Sequence, residues 1–391
     1  MPAGDPRTRS VCFVVTSASR LGAGVMESAR SQATGMAGAA SADISVITLA
    51  DRYSREDAGA WQGVRVTAVR PWGPSILGFS PFMLPALLRS GADVVHVHGV
   101  WQFHCLMVWL WSRITGRPYV VSPHGMLDRW LLKRSPFQKK MASVIYHNRF
   151  LRAAAGFHVL TRQEEKDVAP YADGGALTAV VPNYVTEPVP DGEGTPPWWR
   201  SGYEGKTVFL FLGRLHEKKG CMELCRSWSI ACRSDPEFKA GAVLVFCGWI
   251  DGLPGFETEI ASLGAELGNV FYAGAQYGAD KQRSFAAADF FLLPSKSEGL
   301  PMAVLEAWAA GLPVLMTAAC NLPEGFAAGA AIEVDLEPES LSRSLQDAFA
   351  RAPAERDAMG EAGRTLVHAK FSRESVVPAV LNIYENILGP E

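Results

Sequence analysis

Short runs of β-branched and aromatic residues alternate with longer helical patterns along the whole chain. In the first half, the runs that we predict as strands are Val11–Thr16, Ile44–Leu49, Val64–Val69, Val94–His98, Tyr119–Ser122 and Gly156–Thr161. In the second half they are Thr207–Gly213, Ala242–Gly248, Asn269–Ala273, Asp289–Pro294 and Pro313–Thr317. Few of these runs alternate polar and apolar residues, as expected where both faces of a sheet are covered. The pattern predicts an α/β protein with two parallel sheets, each covered by helices on both faces.

A segment rich in proline, glycine and acidic residues, Thr186–Lys206, separates the two halves. Because 391 residues exceed what one hydrophobic core usually supports, we expect two domains. We place the first domain at residues 1–187 and the second at residues 188–371. We expect the C-terminal helix, at about residues 372–391, to pack back on the first domain.

Composition and charge limit the classes of function. No apolar run reaches the roughly 18 residues of a transmembrane helix, and the N-terminus lacks a signal-peptide pattern. The seven cysteines show no metal-binding spacing, so we expect a reduced, cytoplasmic setting. Residues 1–190 contain 20 Lys and Arg against 13 Asp and Glu, and the remainder contains 17 against 27. The basic half is expected to meet a membrane surface or a phosphate-bearing acceptor, and nucleic acid fits less well.

A basic loop follows the first predicted strand of the second half. Arg214 and Lys219 bracket this loop, and a helix is expected to begin near Cys221. A departing diphosphate needs fixed positive charge, and a guanidinium together with an ammonium at a strand end supplies it. The loop therefore predicts a diphosphate site, with surface cations on a solvated loop as the alternative.

A second loop follows the predicted strand Asp289–Pro294 and carries Glu298, Gly299 and Leu300. We expect the next helix to begin at Pro301 and to end at Gly311, and its N-terminal N–H groups suit a phosphate. Glu306 lies about 7.5 Å into this helix, and helical side chains tilt back toward the N-terminus. Two carboxylates flanking a phosphate could accept hydrogen bonds from the hydroxyls of a ribose and a sugar.

The Arg-x4-Lys loop followed by Glu-x7-Glu resembles the retaining glycosyltransferases of family 4, here of a bacterial envelope or exopolysaccharide type. The resemblance extends over nearly the whole chain. It implies the GT-B fold, two Rossmann-like doubly wound domains facing a central cleft. It also implies that Arg214 and Lys219 hold the diphosphate, that Glu298 contacts the donor sugar and that Glu306 contacts the ribose.

The first half adds three further residues to this donor and catalytic set. Gly22 and Gly24 follow the first strand and resemble the family's glycine-rich loop beside the donor phosphates, although an ordinary strand–helix turn explains the glycines equally well. His124 closes the fifth strand and matches the position of the family's active-site histidine. The resemblance thus implies that His124, Arg214, Lys219 and Glu298 are the catalytic residues.

Three residues of the first half are assigned to the acceptor side, namely His98, Trp101 and Asn183. A structural histidine remains an alternative for His98, and Asn183, near the domain junction, could instead have a positional or donor-side role. His96 points to the opposite face of its strand and is expected in the core. The basic segment 129–140 could rest on an anionic membrane or form an ordinary solvated face.

Together with these features, the resemblance implies a retaining hexosyltransferase that uses a UDP- or GDP-sugar and a glycan or lipid-linked acceptor, in polysaccharide or lipopolysaccharide assembly. The donor is expected on the second domain and the acceptor on the first. We expect no metal cofactor, because the protein's own cations would take its place, and no nucleic-acid partner. The alternatives are a GT-B epimerase or phosphorylase and a non-catalytic nucleotide-sugar-binding protein. A dinucleotide oxidoreductase fits poorly, because the third glycine of its loop is missing.

Overall fold

Two parallel sheets account for the strands in the computed structural model, which describes residues 9–38, 42–73, 78–128, 146–172, 175–186 and 194–389. The first sheet contains β1 (Ser10–Val14), β2 (Asp43–Leu49), β3 (Arg65–Val69), β4 (Val94–His98), β5 (Tyr119–Ser122), β6 (Gly156–Val159) and β7 (Leu177–Val180). The second contains β8 (Thr207–Leu212), β9 (Ala242–Cys247), β10 (Val270–Tyr272), β11 (Phe290–Leu293), β12 (Val314–Met316) and β13 (Ala331–Glu333).

The strand orders are β3-β2-β1-β4-β5-β6-β7 and β10-β9-β8-β11-β12-β13. Both are doubly wound: the order reverses at β1 and β4 in the first sheet, and at β8 and β11 in the second. In such sheets, ligands bind beyond the carboxyl ends of the strands at the point of reversal. The loops after these four strands are therefore where a ligand site is expected.

The chain divides into two units: unit 1 comprises Met1–Tyr184 with Arg373–Glu391, and unit 2 comprises Val185–Ser372. Among the described residues before Val185, the α-helices of unit 1 are α1 (Ala23–Gly38), α2 (Met83–Ser90), α3 (Phe103–Thr115), α4 (Asn148–Arg152) and α5 (Arg162–Val168). Those of unit 2 are α6 (Cys221–Ser234), α7 (Pro236–Gly241), α8 (Phe256–Leu267), α9 (Gly278–Ala286), α10 (Met302–Ala309), α11 (Pro323–Ala327), α12 (Pro338–Phe349) and α13 (Pro353–Lys370).

The C-terminal helix α14 (Arg373–Leu388) belongs to unit 1, where it packs on α1 and on β6. The Tyr384 hydroxyl lies 2.7 Å from His96 Nδ1, and the Arg373 guanidinium donates to the Gly35 carbonyl at 3.0 Å. The division at Tyr184 and Val185 lies a few residues before the one drawn from the sequence.

Burial on both faces explains why the strands could be read from the sequence. Cys12 and Val14 pack into one hydrophobic cluster of unit 1, whereas Val11 and Phe13 pack into another on the opposite face of the sheet. All eleven predicted strands are present, with ends shifted by at most two residues. Sequence analysis missed the edge strands β7 and β13, which are short and only partly buried.

No helix among the described residues is both long and apolar enough to span a membrane. The basic segment 129–140 lies outside the described residues.

Candidate functional site

The loops that follow β8 and β11 are held against each other. Gly220 has a left-handed backbone, with φ of 70°, and a Cβ atom at this position would lie 2.0 Å from the Pro294 carbonyl oxygen. The backbone N–H of Lys296 also donates to the Lys218 carbonyl at 2.7 Å. Lys219 therefore stands beside the loop that follows β11.

Lys219 and Glu298 form an ion pair, with Lys219 Nζ 2.5 Å from Glu298 Oε1. The Glu298 side chain is only 7% exposed, and it accepts a second hydrogen bond from the Ser295 hydroxyl at 2.6 Å. Asn321 donates to the Glu298 carbonyl at 2.6 Å, which fixes the backbone as well. The structure thus brings together two of the predicted site residues, Lys219 and Glu298. Sequence analysis missed Ser295 and Asn321, which hold Glu298 in place through hydrogen bonds.

Arg214 and Glu306 each have a different partner of opposite charge. Arg214 bonds Asp251, on the loop after β9, with an N–O distance of 2.9 Å. Glu306 of α10 accepts from Lys281 of α9 at 2.6 Å. Sequence analysis missed both partners, although Asp251 follows a predicted strand and could have been noticed for that reason.

The start of α10 agrees with expectation to within one residue. The helix begins at Met302, Pro301 occupies the N-cap position, and Gly311 follows the helix with φ of 81°. A Cβ atom on Gly299 would meet nothing within 4 Å, so the backbone there is open to a ligand. Leu300 is half-buried and packs against the core of unit 2.

In unit 1, the loop after β1 is fixed by a residue that sequence analysis missed. The Asp51 carboxylate accepts from the hydroxyls of Ser17 and Ser19 at 2.7 and 2.8 Å, and these hydrogen bonds help to lower its pKa. Gly22 is required by packing, because a Cβ atom there would lie 2.5 Å from the Ser17 carbonyl oxygen. Gly24 is open, with nothing within 4 Å of a Cβ atom.

His98 and His124 are bonded to each other at the ends of β4 and β5. His98 Nδ1 lies 3.0 Å from His124 Nε2, and the two rings stack with centroids 5.2 Å apart. Burial lowers the pKa of His124 to about 3 and that of His98 well below its ordinary value, so both rings are neutral at pH 7. His96 is fully buried between Ser122 and Tyr384, as expected of a core residue.

Trp101 and Asn183 make their described contacts inside unit 1. The Trp101 indole N–H donates to the Met126 carbonyl at 3.0 Å, and its ring stacks on His147 with centroids 3.9 Å apart. Asn183 is buried, and its side-chain oxygen accepts from the Ser28 hydroxyl at 2.5 Å and from Gln32 at 3.2 Å. Their assignment to the acceptor side stays a prediction, and the contacts of Asn183 fit the positional role.

Among the residues with described positions, no group of three or more His, Cys, Asp or Glu side chains could hold a metal ion. On the loops beyond the carboxyl edge of the second sheet, cations pair with carboxylates, Arg214 with Asp251 and Lys219 with Glu298. Such an edge can bind a ligand that has both negative charge and hydroxyl groups, because ammonium and guanidinium groups attract the charge and carboxylates accept from hydroxyls.

Comparison with known proteins identifies the family. Residues 200–366 match the family described as glycosyl transferases group 1, and residues 23–184 match the glycosyl transferase 4-like domain. A GDP-mannose:cellobiosyl-diphosphopolyprenol alpha-mannosyltransferase from Xanthomonas campestris is 25% identical over 335 residues, which are 84% of this chain and 82% of the relative.

Solved structures show the same fold at low sequence identity. Anabaena Alr3699/HepE in complex with UDP and glucose has a TM-score of 0.74 and 16% identity, covering 97% of this chain and 100% of that chain. A glycosyltransferase from Rickettsia africae ESF-5 has a TM-score of 0.76 and 16% identity, covering 98% and 100%. Since the two family matches together span most of both units, this chain belongs to the glycosyltransferases of family 4 and has the GT-B fold.

Proposed function

We propose that this glycosyltransferase moves a hexose from a nucleoside-diphosphate sugar to a glycan or lipid-linked acceptor, with retention of the anomeric configuration. The observation that carries the proposal is the ion pair between Lys219 and Glu298 at the carboxyl ends of β8 and β11, where a doubly wound sheet binds its ligand. Lys219 takes the diphosphate, and Glu298 takes a sugar hydroxyl. Arg214 adds a second cation for the diphosphate.

In the transfer step, the bond between the anomeric carbon and the diphosphate oxygen breaks, and its electron pair leaves with the diphosphate. Lys219, Arg214 and the N–H groups at the start of α10 stabilise the charge that develops there. The acceptor hydroxyl forms the new bond on the same face of the sugar, and its proton passes to the departing phosphate. The carboxylate of Glu306, now bonded to Lys281, is assigned to the ribose hydroxyls.

No metal ion is needed in this scheme, because Lys219 and Arg214 supply the positive charge. We therefore expect turnover to persist in excess chelator.

His124 of unit 1 takes part in the transfer step, and Gly22, Gly24, Gly299 and Leu300 approach the donor through their backbones. His98, Trp101 and Asn183 are assigned to the acceptor side.

A lipid-linked acceptor is supported by the name of the Xanthomonas campestris relative, which describes a diphosphopolyprenol-linked substrate. The net positive charge of residues 1–190 supports an acceptor or a surface that carries phosphate. We propose that the protein works at the inner face of the cell membrane, with residues 129–140 as its basic contact.

The test begins with thermal unfolding in the presence of UDP, GDP and ADP. The correct nucleotide at 100 times its Kd should stabilise the protein by about 2.7 kcal/mol. The corresponding sugar nucleotide is then supplied with lipid-linked oligosaccharides, and the product is analysed by NMR for its anomeric configuration. An epimerised or phosphorolysed donor without a glycosylated acceptor would overturn the proposal, as would stabilisation by none of the nucleotides.

A further inference from the structure

Glu164 is a carboxylate buried in unit 1 that the proposed transfer step does not use. It lies on α5, after β6, and only 3% of the residue is exposed. One carboxylate oxygen accepts from the backbone N–H of Leu160 at 2.6 Å, and the other accepts from the backbone N–H of Gly125. The side chain thus connects the end of β6 to the turn that follows β5.

That turn has an uncommon backbone. His124 has φ of 52° and Gly125 has φ of 74°, so both residues are left-handed. A left-handed residue with a side chain is disfavoured, and it persists where surrounding groups determine it. The Gly125 N–H bonded to Glu164 belongs to the peptide that joins the two residues, so the carboxylate acts directly on the backbone of His124.

We infer that Glu164 is a positioning residue, which holds the His124–Gly125 turn so that the His124 imidazole keeps its direction for the transfer step. The inference rests on the proposed function of His124. Glu164 holds the backbone of the turn. His98 holds the His124 imidazole, because His98 Nδ1 lies 3.0 Å from His124 Nε2.

A carboxylate suits this position because both partners of Glu164 are N–H donors. A glutamine side chain has one acceptor oxygen, and its NH2 group would face one of the two backbone N–H groups. Aspartate is one methylene shorter and cannot reach both. Glu164→Gln therefore changes almost no volume and removes one of the two bonds.

Two control variants distinguish this positioning role from a general contribution of Glu164 to the stability of α5. Glu165, the next residue, is more exposed and pairs with Arg162 at 2.9 Å, so Glu165→Gln removes a carboxylate from the same helix. The Thr161 hydroxyl caps α5 by accepting from the Glu164 N–H at 3.2 Å, so Thr161→Ala weakens the helix but keeps the Glu164 carboxylate. Neither control should lower kcat more than about twofold.

The experiment measures kcat, the donor KM and nucleotide-induced stabilisation in E164Q, H124A and the double variant. E164Q should lower kcat about tenfold or more and leave the donor KM and the nucleotide effect within about threefold, since the charged residues assigned to the donor, Arg214, Lys219, Glu298 and Glu306, all belong to unit 2. In the H124A background, E164Q should have no further effect on kcat, because coupled residues are non-additive. Additive losses, or unchanged kcat in E164Q, would overturn the inference.

A spectroscopic measurement keeps the inference testable if the proposed reaction fails. The 15N-labelled full chain gives imidazole signals, and H124A identifies that of His124. E164Q should shift this signal, while E165Q and T161A should leave it in place. An unmoved signal in E164Q overturns the positioning role, whereas a shifted signal in a protein without transferase turnover would contradict only the proposed function.

Discussion

At the scale of single residues, the candidate site is a set of charge pairs. The residue types were readable from the sequence, because a cation loop after one strand and two acids around a later helix suit a diphosphate flanked by hydroxyls. Which cation forms an ion pair with which carboxylate could not be predicted from the sequence. Glu298 pairs with Lys219, whereas Arg214 pairs with Asp251, because β8 lies next to both β9 and β11.

Replacing Lys219 with alanine should lower kcat about 100-fold or more, since the proposed mechanism assigns to Lys219 the stabilisation of the leaving diphosphate. The change also leaves the buried Glu298 carboxylate without its counter-ion, which should cost about 3 to 5 kcal/mol of unfolding free energy. The double variant K219A/E298Q should regain most of that stability but none of the turnover. Denaturant unfolding and turnover assays measure both quantities.

Lys239→Ala is the control for this prediction, because Lys239 is an exposed cation on α7 of the same unit. Its turnover and stability should match those of the unaltered protein. Full activity in K219A would remove Lys219 from the diphosphate assignment.

At the scale of elements, close backbone contact between strand ends shapes the site. The left-handed Gly220 ends the Lys219 loop and occupies the N-cap position of α6, with its α-carbon facing the Pro294 carbonyl. A glycine between a basic loop and a helix was visible in the sequence. Its contact with the end of β11 was not, because that contact depends on the order of strands in the sheet.

Gly220→Ala should destabilise unit 2 and reduce turnover together. A left-handed alanine costs about 1 to 2 kcal/mol by itself, and the 2.0 Å approach of its Cβ to the Pro294 oxygen forces a backbone shift at Lys219. Gly252→Ala is the matched control, since Gly252 has φ of 64° but open space around a Cβ. G252A should lose only the stability that a left-handed alanine costs. Thermal unfolding and kcat are measured for both variants. Equal losses in the two variants would contradict the contact argument.

At the scale of the whole molecule, the two units differ in their histidines. Six of the eight histidines lie in unit 1, namely His96, His98, His104, His124, His147 and His158. Burial lowers the pKa of His104 and His158 to about 4 and that of His147 to about 3. These side chains stay neutral in the folded unit at a pH where the unfolded chain binds protons.

Unit 1 should therefore lose stability on acidification before unit 2 does. Between about pH 6.5 and pH 4, the unfolded chain binds more protons, so the free energy of unfolding falls by about 1.4 kcal/mol per pH unit for each buried histidine. Hydrogen exchange with mass spectrometry at pH 7 and pH 5, corrected for the intrinsic rate, assigns the loss to peptides of either unit. Equal loss of protection in both units would contradict the prediction.

The sequence by itself determined the two α/β halves and eleven of the described strands, and it supplied the candidate site residues. It could do so because strands buried on both faces must be apolar throughout, and because ligand groups follow the carboxyl ends of such strands. Only the tertiary structure decided the pairs Lys219–Glu298 and Lys281–Glu306, and the hydrogen bonds that join Asp51 to Ser17 and Glu164 to Gly125. These contacts join residues far apart in the chain, and strand order and the packing of helices on the sheets bring them together.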